Sequence, residues 1–434
     1  MSFLKLLGFD SQKHSVRTEI VAGITTFLTM AYILMVNPQI FSPLEPLGMP
    51  NDSVFTATAV AAIAGTLVMA FLAKMPYGLA PGLGLNAFFV YTVCLGLGRP
   101  WQFALTAILI EGIIFIILTV TNVREAIVNA IPNSLKNAIG AGLGLFIAFI
   151  GLQGAEVIVD DPATLVTMNL NSPSAWLCLI GLVITGVLFV LKVKGAMLIG
   201  IVVTTIIGIP MGLTKIDGII GMPPSLEPIR FKFTFDQVFS LDMLLVVFTF
   251  LFFDMFDTIG TVVGVSKKTG TMTPDGKIPG VKKIFMADAV ATVVGACAGT
   301  STTTTFVESA SGVAEGGRTG LTAFVIACGF VISLFFAPVF LAVPHAATAP
   351  ALIIVGLFMM SPIKEIDFSD YSESIPAFIT IILMPLAYSI SDGIMLGMIS
   401  YVVLNAICGK FKKISIMMWI LAILFVIRYA VPVL

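Results

Sequence analysis

Residues 300–320 read TSTTTTFVESASGVAEGGRTG. A run of hydroxyl side chains ends at Thr305, and Glu308 follows three places later, inside a chain that is otherwise mostly apolar. The β-branched Thr302 to Thr305 suit an extended strand. Thr305-Phe306-Val307-Glu308 then spells a capping box for a half-helix starting at about Phe306. Backbone of that mixed kind is tolerated at membrane depth only where it is buried in protein or lines a cavity. What surrounds the stretch therefore decides its meaning.

The surroundings are apolar enough for a bilayer. Of 434 residues, 58% are hydrophobic and 11% charged, with a mean hydropathy of +1.06. That excludes a soluble globule and describes an all-α polytopic membrane protein. A formal charge of -1 without a basic stripe argues against a nucleic-acid partner. Cys94, Cys178, Cys297, Cys328 and Cys408 lack metal-ligand spacing and read as small packing residues, and neither His14 nor His345 has a metal partner at ligand spacing. No metal and no cofactor is expected, and no cleavable signal: the first apolar run is long enough to span.

Full-length apolar runs fall at 20–40, 54–73, 101–121, 134–152, 174–191, 195–213, 241–265, 318–342, 346–361, 374–390 and 392–408, with a last run at 415–431. Three more, at 81–93, 284–298 and 303–315, are short or polar-interrupted. Seven segments precede the loop at 214–240 and seven follow it, so a structural repeat would be inverted. KGAMLIGIVVTTIIG at 194–208 resembles DGIMLGMISYVVLNAICG at 392–409, each closing its half, and the interrupted runs 81–93 and 303–315 are both third in their half. The tail run 415–431 reads equally as a further span or an interfacial helix.

Lysine and arginine set the orientation. With the N-terminus inside, Lys5, Lys13, Arg17, Lys74, Arg124, Lys136, Lys192, Lys194 and the Lys267–Lys283 cluster share the cytoplasmic side, against Arg99, Lys215, Arg230 and Lys232 outside. This predicts a cell-membrane protein with a cytoplasmic N-terminus.

In PYGLAPGLGLNAFF (76–89), Gly78, Gly82 and Gly84 discourage a helix before Asn86, while Pro81 suits the first turn of one beginning there. Both halves therefore read as a strand followed by a half-helix. Crossed strands would bring two helix N-termini, each with partial positive charge, near the midplane. Glu308 could simply cap its own helix. An acid at bilayer depth costs about 2.5–3.5 kcal/mol on insertion scales and usually marks a pathway, which favours function. FLFFDMFDTIGT (250–261) carries the same signal: Asp254 lies about 18 Å along its span at 1.5 Å per residue. Asp257 and Thr258 follow at i+3 and i+4 on the same face. Three polar groups on one stripe of a phenylalanine-rich helix point away from lipid and to function, with interhelical hydrogen bonding as the bland alternative. Glu111, in LIEGIIF, reads equally as packing or helper, and Asn86 could merely cap. Phe88, Phe89, Phe250 and Phe253 could stack on a flat ligand, though phenylalanines in membrane proteins are mostly core.

GLGLNAFF, FDMFDTIGT and TTTTFVESASGVAEGGRTGLTA, in that order, resemble the nucleobase-ascorbate (nucleobase-cation symport type two) transporters, most closely the purine permease branch of adenine, guanine and hypoxanthine carriers. The resemblance covers nearly the whole chain. It implies a 7+7 inverted-repeat fold of about 14 segments. A core domain would be formed by 1–121 and 241–344 and a gate domain by 122–213 and 345–409, with 214–240 an extracellular linker and 410–434 an extra hydrophobic tail. It implies that Asn86, Asp254 and Glu308 serve purine binding or transport, with Asp257 supporting. Asp254 stands where uracil and xanthine relatives tend to carry glutamate, which favours the purine branch.

The chemistry agrees. A purine base is flat, neutral and edged with N–H donors and lone pairs, so a carboxylate can accept from its N–H groups while an amide and backbone donors meet its acceptors. Glu308, Asn86, Asp254, Phe253 and Thr305 are the expected substrate contacts. A neutral substrate needs a second acid to carry a coupling proton: Asp254 first, with Asp257 and Glu111 as candidates. The expected activity is import of guanine, hypoxanthine or adenine by proton symport, not enzymatic catalysis, with purine, protons and lipid as partners; a homodimer is compatible with it. An anion transporter or channel of the same architecture is the rival, weakened by acids that would repel its substrate. An intramembrane aspartyl protease would need its two aspartates on separate helices.

Overall fold

The computed structural model describes residues 2–121, 132–216, 218–269 and 280–430. Arg124, Lys277, the boundary expected at 122 and most of the loop between Lys267 and Lys283 lie outside the described residues.

The first apolar run holds helices α1 (Val16–Met30) and α2 (Ile33–Phe41), followed by α3 (Asn51–Val68). A short strand β1 (Leu79–Pro81) leads into α4 (Leu83–Ala87), which continues as a π-helix over Phe88–Gly96. Next come α5 (Trp101–Thr121) and α6 (Asn133–Gly154). An exposed hairpin of β2 (Ile158–Asp161) and β3 (Leu165–Met168) precedes α7 (Pro173–Val190) and α8 (Ala196–Gly208). The second half has α9 (Leu241–Thr269), α10 (Val281–Ala298), β4 (Thr303–Thr305), α11 (Ser309–Ala314) and α12 (Gly320–Ser333). It closes with α13 (His345–Met359), α14 (Tyr371–Leu386), α15 (Ile390–Ile407) and α16 (Ile416–Ala430).

Among the described residues, eight helices are long and apolar enough to cross a membrane. Four shorter apolar helices accompany them, and the run expected at 195–213 is one of these, ending at Gly208. The tail run forms α16, which packs on α15 and buries Met418, Leu421, Ala422 and Phe425.

Helices α1, α2, α3, α5, α9, α10, α11 and α12 pack mainly on one another, and α6, α7, α8, α13, α14 and α15 form a second group. Close approach rests on small residues, as helix association in lipid requires. Gly144 on α6 and Gly356 on α13 face each other so closely that a Cβ on either would strike the carbonyl of the other. Residues 218–240 strap across one end of the first group: the Ser53 and Thr56 hydroxyls donate to the carbonyls of Ser225 and Pro224, and the Phe231 N–H donates to the Cys297 carbonyl.

Strands β1 and β4 cross as an antiparallel ribbon, with Leu79, Ala80 and Pro81 opposite Thr305, Thr304 and Thr303. The Phe306 N–H donates to the Gly78 carbonyl at 2.9 Å, and the Gly82 N–H to that of Thr302 at 3.0 Å. The alternation of an antiparallel ladder therefore turns Leu79 and Pro81 outward. Pro81 ends the strand and does not open the helix, because its missing N–H falls where the ladder needs none. The outward groups are met by threonines. Thr66 on α3 accepts from the Leu79 N–H and donates to its carbonyl, and Thr292 on α10 does the same for Thr303. Two threonines thus take up the outward backbone groups of one residue on each edge of the ribbon.

Candidate substrate site

The hydroxyls at and beside β4 reach into four different elements. Ser301 donates to Oδ1 of Asn86 on α4, and Thr302 donates to Oε2 of Glu111 on α5 at 3.1 Å. Thr304 donates to Oδ2 of Asp257 on α9 at 3.1 Å, and Thr305 to Oδ1 of Asp288 on α10 at 2.8 Å. One residue earlier, Thr300 accepts from Nδ2 of Asn37 on α2, which also donates to Thr58 on α3. A buried carboxyl or amide is tolerated only with hydrogen-bond partners, and the hydroxyl run supplies one to each. The threonines are a hub as well as a strand.

Thr305 forms no capping box with Glu308, since its hydroxyl is directed to Asp288. Helix α11 begins at Ser309 instead of Phe306, and Glu308 occupies its N-cap position with α-helical backbone, φ -59° and ψ -21°, and no side-chain capping bond. The Glu308 carboxylate turns away from its own helix, where Oε1 accepts from the Tyr32 hydroxyl at 2.7 Å. Tyr32 stands at the break between α1 and α2.

Burial sorts the acids. Asn86, Glu111, Asp254 and Asp288 are fully buried, whereas Asp257 is exposed and Glu308 partly so. The stripe Asp254, Asp257 and Thr258 is accordingly split: Thr258 donates to Asp254 within α9, and Asp257 opens to the space beside β4. Phe253 is 5% exposed and packs its ring against Phe88 at 6.1 Å, and Thr305 is 1% exposed, so both belong to the wall.

Asp288 escaped the sequence reading, although an acid inside the apolar KIFMADAVATVV carried the same signal as Glu111. Glu19 escaped as well. It accepts from the N–H groups of Arg318 and Thr319 and from the Thr322 hydroxyl, so an acid on α1 caps α12. Tyr32 left no signal, because an aromatic in an apolar run looks like packing.

Residues 17–396 match the model of the Permease family, Xan_ur_permease. The chain is similar to the guanine/hypoxanthine permease PbuG of Bacillus subtilis, 44% identical over 436 residues covering 97% of this chain and 98% of that one. It is also similar to the adenine permease AdeP of Escherichia coli, 41% identical across 97% of this chain and 94% of that one. Among solved structures, the transmembrane domain of the cyanobacterial bicarbonate transporter BicA superposes with a TM-score of 0.66 at 17% identity, covering 89% of this chain and 98% of that domain. At that identity the likeness is one of fold.

Proposed function

The chain belongs to the Permease family, and from that membership we propose that it imports purine nucleobases (guanine, hypoxanthine or adenine) across the cell membrane by proton symport. The observation that carries the reading is the pair of accessible acids, Asp257 and Glu308, beside crossed strands whose hydroxyls hold Asn86, Glu111 and Asp288.

On this reading the purine docks by its N–H edge on Glu308, oriented by Tyr32, with Asp257 as a second acceptor and the Asn86 amide as the nearby donor. Asp254, at depth and bonded to Thr258, carries the coupling proton, while Glu111 and Asp288 hold the ribbon in place through Thr302 and Thr305. The two packing groups act as core and gate of a 7+7 inverted repeat, with the N-terminus and the Lys267–Lys283 loop cytoplasmic. Lys192 and Tyr388, both with left-handed backbone at φ 56° and 53°, end α7 and α14 at matching points of the two halves and support the repeat.

The shared fold with a bicarbonate transporter raises an anion as the alternative. Two accessible acids at the strand crossing repel one, and the relatives at 41–44% identity are named for nucleobases. A competition panel of adenine, guanine, hypoxanthine, xanthine, uracil and bicarbonate against labelled hypoxanthine uptake tests the proposal. Purines alone should compete, and inhibition by bicarbonate but not by purines would overturn it.

A further inference from the structure

A cavity of about 300 Å³ lies between the two packing groups at the end of the molecule reached by Gln39 on α2, away from the N-terminus. That volume sits at the lower end of the range for small-molecule sites. Gln39 and Tyr91 line it from one group, and Gln153, His345, Thr348 and Tyr388 from the other. The lining includes no Asp, Glu, Lys or Arg, so the cavity suits an uncharged ligand.

Its groups are those that recognise a flat heterocycle. Tyr388 stands edge-on to Tyr91, with centroids 5.4 Å apart at 89°, and also meets Phe146 and Phe149. Its hydroxyl donates to Oε1 of Gln153 at 2.8 Å. The exposed His345 ring makes no hydrogen bond among the described residues, nor does Nε2 of the Gln153 amide, so both stay open to a ligand.

The cavity also lies in line with the site below it. Gln39 follows Tyr32 by seven residues, which puts both on one face of α2 and separates them by roughly 10 Å at 1.5 Å per residue. Gln39 spans the two groups, its amide donating to the Val343 carbonyl and accepting from Thr348.

We propose that this cavity is an entry-side waiting site, where the transported purine binds against the Tyr91–Tyr388 pair before it reaches Glu308. The proposal rests on the purine-transport reading. A heterocycle there stacks on aromatic faces while its ring nitrogens meet the Gln153 amide and the His345 imidazole.

Ser42 lines the cavity, so a single Ser42→Cys, in a protein whose exposed Cys328 and Cys408 are changed to serine, reports occupancy by its rate of alkylation. Hypoxanthine at about ten times its Kd for the cavity should slow alkylation about tenfold, even when Glu308→Gln has removed the deeper site. Adding Gln153→Leu and His345→Ala should abolish that protection while leaving the ligand-free alkylation rate unchanged. Protection seen with Glu308 intact but lost in Glu308→Gln overturns the waiting site and leaves purine transport standing. Protection that survives the double cavity change overturns the assignment of residues. Absence of hypoxanthine uptake by the unmutated protein is a different failure, and overturns the transport reading with it.

Discussion

Tyr32 donates its hydroxyl to Oε1 of Glu308 across 2.7 Å, joining two residues 276 positions apart. The bond holds the carboxylate at the break between α1 and α2, and it makes no capping bond to its own helix. Glu308→Gln should therefore cost purine affinity rather than folding. Loss of a charged acceptor for a buried ligand is worth about 1.5–3 kcal/mol, roughly ten- to hundredfold in Kd. Tyr32→Phe removes the orienting donor and should weaken binding less. Equilibrium binding to purified protein checks both, and the double variant should be no worse than Glu308→Gln alone, because the two act through one contact. Full additivity would separate Tyr32 from the site.

The hydroxyl run gives an internal control. Thr302, Thr304 and Thr305 each donate to an acid, whereas the Thr303 hydroxyl has no hydrogen-bond partner among the described residues. Valine at 302, 304 or 305 leaves a buried or ligand-facing carboxyl short of a donor, at about 1–3 kcal/mol. Valine at 303 should be close to neutral. Uptake and melting temperature across the four variants test the pattern, and equal effects at all four would dismiss the hub.

Coupling is expected to depend on Asp254. Asp254→Asn should abolish accumulation driven by a pH gradient yet leave exchange of labelled for unlabelled purine, since exchange moves no net proton. Proteoliposomes loaded with purine separate the two modes. Accumulation that persists in the variant would pass the role to Asp257 or Glu111.

Gly356→Ala should destabilise the pairing of α6 with α13. The added methyl meets the Gly144 carbonyl, and overpacking of this kind costs about 1–3 kcal/mol. A lower melting temperature in detergent is the expected result, and an unchanged one would mean that the two helices separate without penalty.

Orientation is open to labelling. Cysteines at Ser11 and at Thr164, the latter in the exposed turn between β2 and β3, should behave oppositely towards an impermeant thiol reagent on intact cells. Ser11→Cys should resist and Thr164→Cys should react. The reverse result would invert the topology argued from lysine and arginine.

Composition and local propensity determined much by themselves. The apolar runs, the extended threonines and the acids at depth are legible because each follows from near neighbours or from the cost of charge in lipid, whereas Gly84, expected to discourage a helix before Asn86, lies inside the helix Leu83–Ala87. Contacts between distant segments were decided by the tertiary structure alone. Thr305 had two partners to choose from, the adjacent Glu308 and the Asp288 of a packed helix, and packing chose Asp288. Asp254 and Asp257 look alike along one helical stripe, yet the first is sealed against its neighbours while the second opens beside Thr304. Pro81 suits a helix start on local grounds, but a strand more than two hundred residues later presents a ladder in which its missing N–H costs nothing. Local preferences differ by about 1 kcal/mol, and an unpaired buried polar group costs more, so the pairing that gives Glu111, Asp257 and Asp288 each a hydroxyl donor overrides them.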